Sequence, residues 1–160
     1  MGNELYSCLK NIKIDKLDEV DKSELLNIFL ITKESRIRNH IAFIFSDLGY
    51  DEAVPFVLKK IKEKVLYNNN GSLVYSLKNL ETKDYFIEFV KLVCTQAYEA
   101  RLSAYEILKK DFDKISLTVK KRSFNFIKKY YKENKSTLNS EKGEKYLMIK
   151  QVITLLGSVT

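Results

Sequence analysis

Apolar residues in this chain recur at helical spacing and change phase at short polar breaks. The clearest stretch is residues 34–66, ESRIRNHIAFIFSDLGYDEAVPFVLKKIKEKVL. In its first half Ile37, Ile41, Ile44, Phe45 and Leu48 share one helical face, and in its second half Val54, Val57, Leu58 and Ile61 do the same. Gly49-Tyr50-Asp51 separates them. Gly49 suits the left-handed position just past a helix end. Asp51 can accept hydrogen bonds from the free N–H groups of the next helix. Pro55 falls in that helix's first turn, where a missing N–H costs little. The pattern predicts a helical hairpin.

The same register recurs along the chain. With Arg38 as position zero, a shift of 32 residues to Asn70 places Leu73, Leu77, Leu80, Phe86, Phe89, Val90 and Val93 at the apolar offsets, and only Ser76 breaks the pattern. A further 31 residues reach Arg101, where Ala104, Ile107, Leu108 and Phe124 fit. Asp111, Lys120 and Lys121 do not, so the register slips there by a residue or two. Moving back 32 residues from Arg38 reaches Tyr6, with Leu9, Ile12, Leu25, Leu26 and Phe29 in place. This predicts four hairpins, the outer two degraded. A polar loop over 133–143 follows, then a closing helix carrying Tyr146, Leu147, Ile149, Val152, Ile153 and Leu156. Stacked hairpins bury one another's apolar faces and need polar ends. The expected fold is all-α, a single domain over 1–160: a right-handed α-solenoid of about four hairpins with a C-terminal capping helix. Phe45, Leu48, Leu58, Leu77, Leu80, Phe89 and Ile107 are its expected core.

Composition agrees with this. The chain has 160 residues, 45% of them hydrophobic, with one Pro and five Gly to punctuate many short strands. A domain of this size buries roughly 68–70% of its extended surface. No apolar run reaches the roughly 18 residues of a membrane span. Cys8 and Cys94 are too few for a disulfide framework, and a reduced cytoplasm is the expected compartment.

Residues RIRNHIAFIFSDLGYDEAVPFVLKKI resemble a short bacterial HEAT repeat. Arg38, Ala42, Leu48, Gly49, Asp51, Glu52, Ala53, Val54 and Pro55 carry the likeness: an Arg early in the first helix, a Gly turn, then an acidic-Ala-Val-Pro start to the second. YEARLSAYEIL around Arg101 is a looser match, and the resemblance covers about residues 34–110. It implies a protein-binding scaffold and names no partner.

Candidate chemistry is sparse. His40 is the one histidine, and it reads as a partly exposed helix residue. No Cys/His pairs stand at metal spacing, and Asn68-Asn69-Asn70-Gly71 reads as a turn and N-cap run, not a phosphate loop. Asp51 and Glu52 sit at a helix start, where the helix dipole accounts for them. We expect no catalytic residue, metal or cofactor.

Charge changes the picture. Of the net +7, residues 1–110 carry +1 and residues 111–160 carry +6. Lys120-Lys121-Arg122 and Lys128-Lys129 alternate with Phe124, Phe126, Tyr130 and Tyr131. Such a segment can bind phosphates and stack on bases, or it is an amphipathic helix with its lysines in water. On the second helices, the positions opposite the core hold Glu52, Asp84, Glu24, Glu88, Lys59, Lys91, Arg122 and Glu63. Like charges there recur at equivalent places, so Glu52, Lys59, Glu63, Asp84, Glu88, Lys91 and Arg122 are candidate partner contacts. The expected function is binding of one protein partner, most concretely an immunity protein that neutralises a toxin. The alternatives are nucleic-acid binding through the basic C-terminal segment and a non-catalytic regulatory or assembly scaffold.

Overall fold

A computed structural model describes residues 2–141 and 143–158, and among them every regular element is helical. The α-helices are α1 (Gly2–Lys10), α2 (Glu19–Ile31), α3 (Ser35–Leu48), α4 (Val54–Ile61), α5 (Gly71–Ser76), α6 (Phe86–Thr95), α7 (Tyr98–Asp111), α8 (Leu117–Glu133), α9 (Lys135–Glu141) and α10 (Glu144–Gly157). Short 3-10 turns join several of them. Helix α1 packs on α3, α3 on α5 and α5 on α7, while α6 packs on α7 and α8. Helix α10 lies against α6, α7 and α8. One core cluster runs through these contacts from Leu9 to Leu156.

The turn after α3 forms as its residues dictate. Gly49 has φ 62°, the left-handed value that ends a helix without a Cβ clash, and its N–H is bonded to the Ser46 carbonyl. Pro55 occupies the first turn of α4. Asp51 behaves differently from expectation. It caps no N–H of its own helix; its Oδ1 accepts from the Glu81 N–H at 2.8 Å and so ties the turn after α3 to the link between α5 and α6.

Six of the seven expected core residues are buried, and Leu48 is half-buried, since it closes α3 at the surface. The polar interruptions are buried too. Ser76 donates to the Leu73 carbonyl at 2.8 Å, and Asp111 accepts from the Thr82 hydroxyl. Ser76 satisfies its hydroxyl within the stripe, whereas Asp111 bonds through Oδ2 and its Oδ1 has no hydrogen bond, only Lys110 and Lys114 at 3.7 and 3.8 Å. On α8 the stripe moves to Ser123 and Ile127, and Phe124 is only half-buried. The expected loop over 133–143 is largely helix α9, held by Leu138, the one apolar residue of its stretch; Lys142 lies outside the described residues. On α10, Leu147 is exposed and Met148 takes a buried place. Asn70 ends the Asn run without capping α5; its amide donates to the Ile61 carbonyl instead.

Leu77→Ala should destabilise by about 2–5 kcal/mol, a lost transfer energy plus a cavity, and Leu48→Ala by clearly less; urea unfolding of both variants measures this. The two thiols should also differ. Cys8 is exposed, whereas burial pushes the Cys94 thiol up to about 12. A thiol reagent should modify Cys8 in the folded protein and reach Cys94 only on unfolding.

Candidate binding site

The charged row expected on the second helices is partly consumed inside the fold. Glu88 on α6 is held by Lys91 at 2.8 Å and by Lys62 of the preceding hairpin at 2.6 Å. Glu63 pairs with Lys60 at 3.1 Å. Glu52 sits beside Asp51 in the turn before α4 and exerts its charge on Lys22. Lys59 on α4, Asp84 before α6 and Arg122 on α8 are exposed and make no ion pair or hydrogen bond among the described residues. Thus Glu88 and Lys91 meet, joined by Lys62. Lys62 escaped the sequence reading because its partner belongs to another hairpin.

A different concavity stands out where α8, α9 and α10 converge. It encloses about 700 Å³ and is lined by Lys128, Lys129, Tyr131, Lys132, Lys135, Lys150, Ile153 and Thr154. Three helices therefore bring five lysine side chains to one largely apolar cleft. No carboxylate is among the lining residues; Glu133 lies 3.8 Å from Lys129 at the edge. Lys132 and Lys135 make no ion pair or hydrogen bond among the described residues. Like charges within a Debye length of about 8–10 Å repel one another, so the cleft is poised for an anion. At its wall Tyr131 and Tyr146 pack with ring centres 6.0 Å apart, and Lys150 lies 4.8 Å from the Tyr146 ring centre. Polar contact with Lys150, then with Tyr131, holds the Tyr146 phenol below its ordinary value.

The aromatics of the basic segment are mostly spent on packing. Phe124, Phe126 and Tyr130 lie half-buried against the core, and the Tyr130 hydroxyl donates to the Cys94 carbonyl at 2.8 Å. Lys120 and Lys128 cover the Phe112 and Phe124 rings at 4.1 and 5.0 Å. Of the four aromatics in the segment, Tyr131 alone lines the cleft. Lys132, Lys135 and Lys150 were not singled out in the sequence, although Lys128, Lys132 and Lys135 stand at near-helical spacing that signals a shared face. Lys150 carried no such signal, since its approach depends on how α10 docks. His40 packs edge-on against Tyr6, ring centres 5.4 Å apart.

No protein-family model, curated protein or solved structure matches this chain.

Glu88 generates a pH prediction. Burial raises its carboxyl, but hydrogen bonds from Lys62 and Lys91 outweigh this and hold it below the ordinary carboxylate range. A depressed folded-state value contributes stability above the unfolded value, and that stability is lost as pH falls through the folded one. Between pH 7 and about pH 3, denaturant unfolding should show the wild type losing more stability than Glu88→Gln.

Proposed function

We propose that this chain is a non-catalytic protein-binding module, a short right-handed α-solenoid of HEAT-like hairpins closed by α10. Its lysine-rimmed C-terminal cleft receives an acidic partner segment. The repeat register and the packing of α1, α3, α5 and α7 in succession support the solenoid reading. The observation that carries the binding reading is the cleft itself: five lysines around an apolar floor containing Tyr131 and Ile153. Carboxylates of a partner relieve the lysine repulsion and speed encounter, and an apolar or aromatic side chain fills the floor. An immunity role, with a toxin domain as the partner, is the special case suggested by the sequence. Lys59, Asp84 and Arg122, free on the surface, are available as additional contacts, as is Glu52; Glu63, Glu88 and Lys91 can contribute only by leaving their present pairs or sharing them.

Nucleic acid is the second reading, favoured by the same lysines. It is weakened by the packing of Phe124, Phe126 and Tyr130, which removes the row of stacking faces that single strands use. Capture from the source lysate separates the two. Wild-type protein should retain a partner that survives nuclease treatment, and Lys128→Glu/Lys132→Glu/Lys150→Glu should release it with little change in melting temperature. Loss of all binding on nuclease treatment would favour nucleic acid, and equal capture by the charge-reversed protein would remove the cleft from consideration.

A further inference from the structure

Another, smaller pocket lies in the first half of the chain, where the link between α2 and α3 meets the end of α4. It encloses about 420 Å³ and is lined by Ile31, Thr32, Lys33, Arg38, Lys60, Glu63, Val65 and Leu66. Three properties set it apart. Its innermost charge, Arg38, is 4% exposed, and its Nε–H has no acceptor although it is shielded from water. The guanidinium makes no ion pair among the described residues, and burial lowers its proton affinity while Glu63 acts in the opposite direction. The two most exposed large apolar side chains of the described residues, Val65 at 80% and Ile31 at 78%, both line this pocket.

Internal capping does not explain Arg38. At the equivalent register position one hairpin later, Asn70 donates to the Ile61 carbonyl at 3.0 Å and to Gln96 Oε1 at 2.7 Å, so its amide N–H groups are used in closing the fold. In the Arg38 hairpin that task falls to Lys60, whose Nζ reaches the Leu30 carbonyl at 3.0 Å and Glu63 at 3.1 Å. Arg38 is thus a buried, fork-shaped donor that lines the pocket and whose Nε–H has no acceptor. Lys33, Arg38 and Lys60 face one carboxylate, Glu63, which leaves the lining positive.

We propose that this pocket binds a small aliphatic carboxylate. The acid's two oxygens take the Arg38 edge in the bidentate geometry a guanidinium favours. Lys33 adds charge at the mouth. The aliphatic body lies against Ile31, Val65 and Leu66, covering apolar surface that is otherwise open to water. Phosphate fits less well, because it would leave that apolar wall exposed. This site is independent of the C-terminal cleft and stands whether or not the cleft binds a protein.

The test uses the full chain, isotope-labelled for NMR, titrated with hexanoate, with its neutral isostere hexanamide and with inorganic phosphate. Hexanoate should shift the Arg38 Nε–H resonance saturably, hexanamide should leave it in place, and phosphate should bind more weakly than hexanoate. Arg38→Lys, which keeps the charge and loses the fork, should weaken hexanoate by about tenfold or more. Arg38→Met should abolish the binding, and because it removes an unpaired buried charge it should not lower the melting temperature. An Arg38 resonance unmoved by hexanoate would overturn the proposal. So would an equal response to hexanamide, tighter binding of phosphate, or undiminished hexanoate binding in folded Arg38→Met. If neither variant folds, the wild-type resonance decides alone.

Discussion

A helix that ends inside a stack of helices leaves carbonyls that water reaches poorly, and each must find a donor. This chain supplies those donors largely from outside the helix concerned. Lys60 reaches the Leu30 carbonyl near the end of α2, and Asn70 the Ile61 carbonyl at the end of α4. Lys110 reaches the Lys78 and Leu80 carbonyls beyond α5. Tyr130 and Tyr67 take the Cys94 and Thr95 carbonyls at the end of α6. Most of these contacts span about one repeat, between 28 and 36 residues. Helix termination and helix docking are therefore coupled: a segment that failed to dock would leave the last turn of the helix it caps unsatisfied. Helices α3, α8 and α10 instead end by local devices, through Gly49, Asn134 and Ser158.

The same logic acts at the turns within the hairpins. Asp51, Glu81 and Asp111 stand 30 residues apart. Asp51 accepts from the Glu81 N–H, and Glu81 pairs with Lys114 at 3.2 Å. Buried Asp111 accepts from Thr82 and lies 3.7 Å from Lys110 and 3.8 Å from Lys114. A buried carboxylate without such partners would be strongly unfavourable. With them, it fixes the offset between successive hairpins more narrowly than an apolar stripe can, because leucines tolerate sliding and a charged hydrogen bond does not.

That division explains what the sequence disclosed. Phe45, Leu58, Leu77, Leu80, Phe89 and Ile107 were legible because burial is a property of one helix face and recurs every turn. Gly49 and Pro55 were legible because their constraint is local. Asp51 was misread because a carboxylate at a helix start has an adequate local partner, and nothing in the residue string reveals a closer one 30 positions on. Lys60, Lys110 and Tyr130 were opaque for a related reason. A long polar side chain at the edge of a stripe reads as solvated surface until the neighbouring helix end arrives beneath it. Glu88 and Lys91 were placed correctly on a shared face, but Lys62 shows that their charges were answered within the fold. The C-terminal cleft was half visible: Lys128, Lys129 and Tyr131 were noted as a basic aromatic run, while Lys150 came to it only through the docking of α10.

The uneven charge of the chain then has a structural counterpart. Through α7 and its following turn, many basic residues serve the fold, as caps in Lys60 and Lys110 and as ion pairs in Lys62, Lys91 and Lys114. Acidic residues there nearly match them, and the +1 of residues 1–110 reflects that balance. Beyond α7 the lysines outnumber the available carboxylates and no longer close helix ends. Lys132 and Lys135 make no ion pair or hydrogen bond among the described residues, and Lys128 and Lys150 rest over aromatic rings. The two halves therefore use their basic residues differently: the first spends many of them on carbonyls and carboxylates, and the second leaves like charges crowded. The cost of that crowding is small in water, since exposed lysines are screened, and it would become a gain on an acidic surface that displaced the screening ions. Arg38 follows the same economy in miniature: its hairpin is already closed by Lys60, so its guanidinium is held in place by packing and left chemically open.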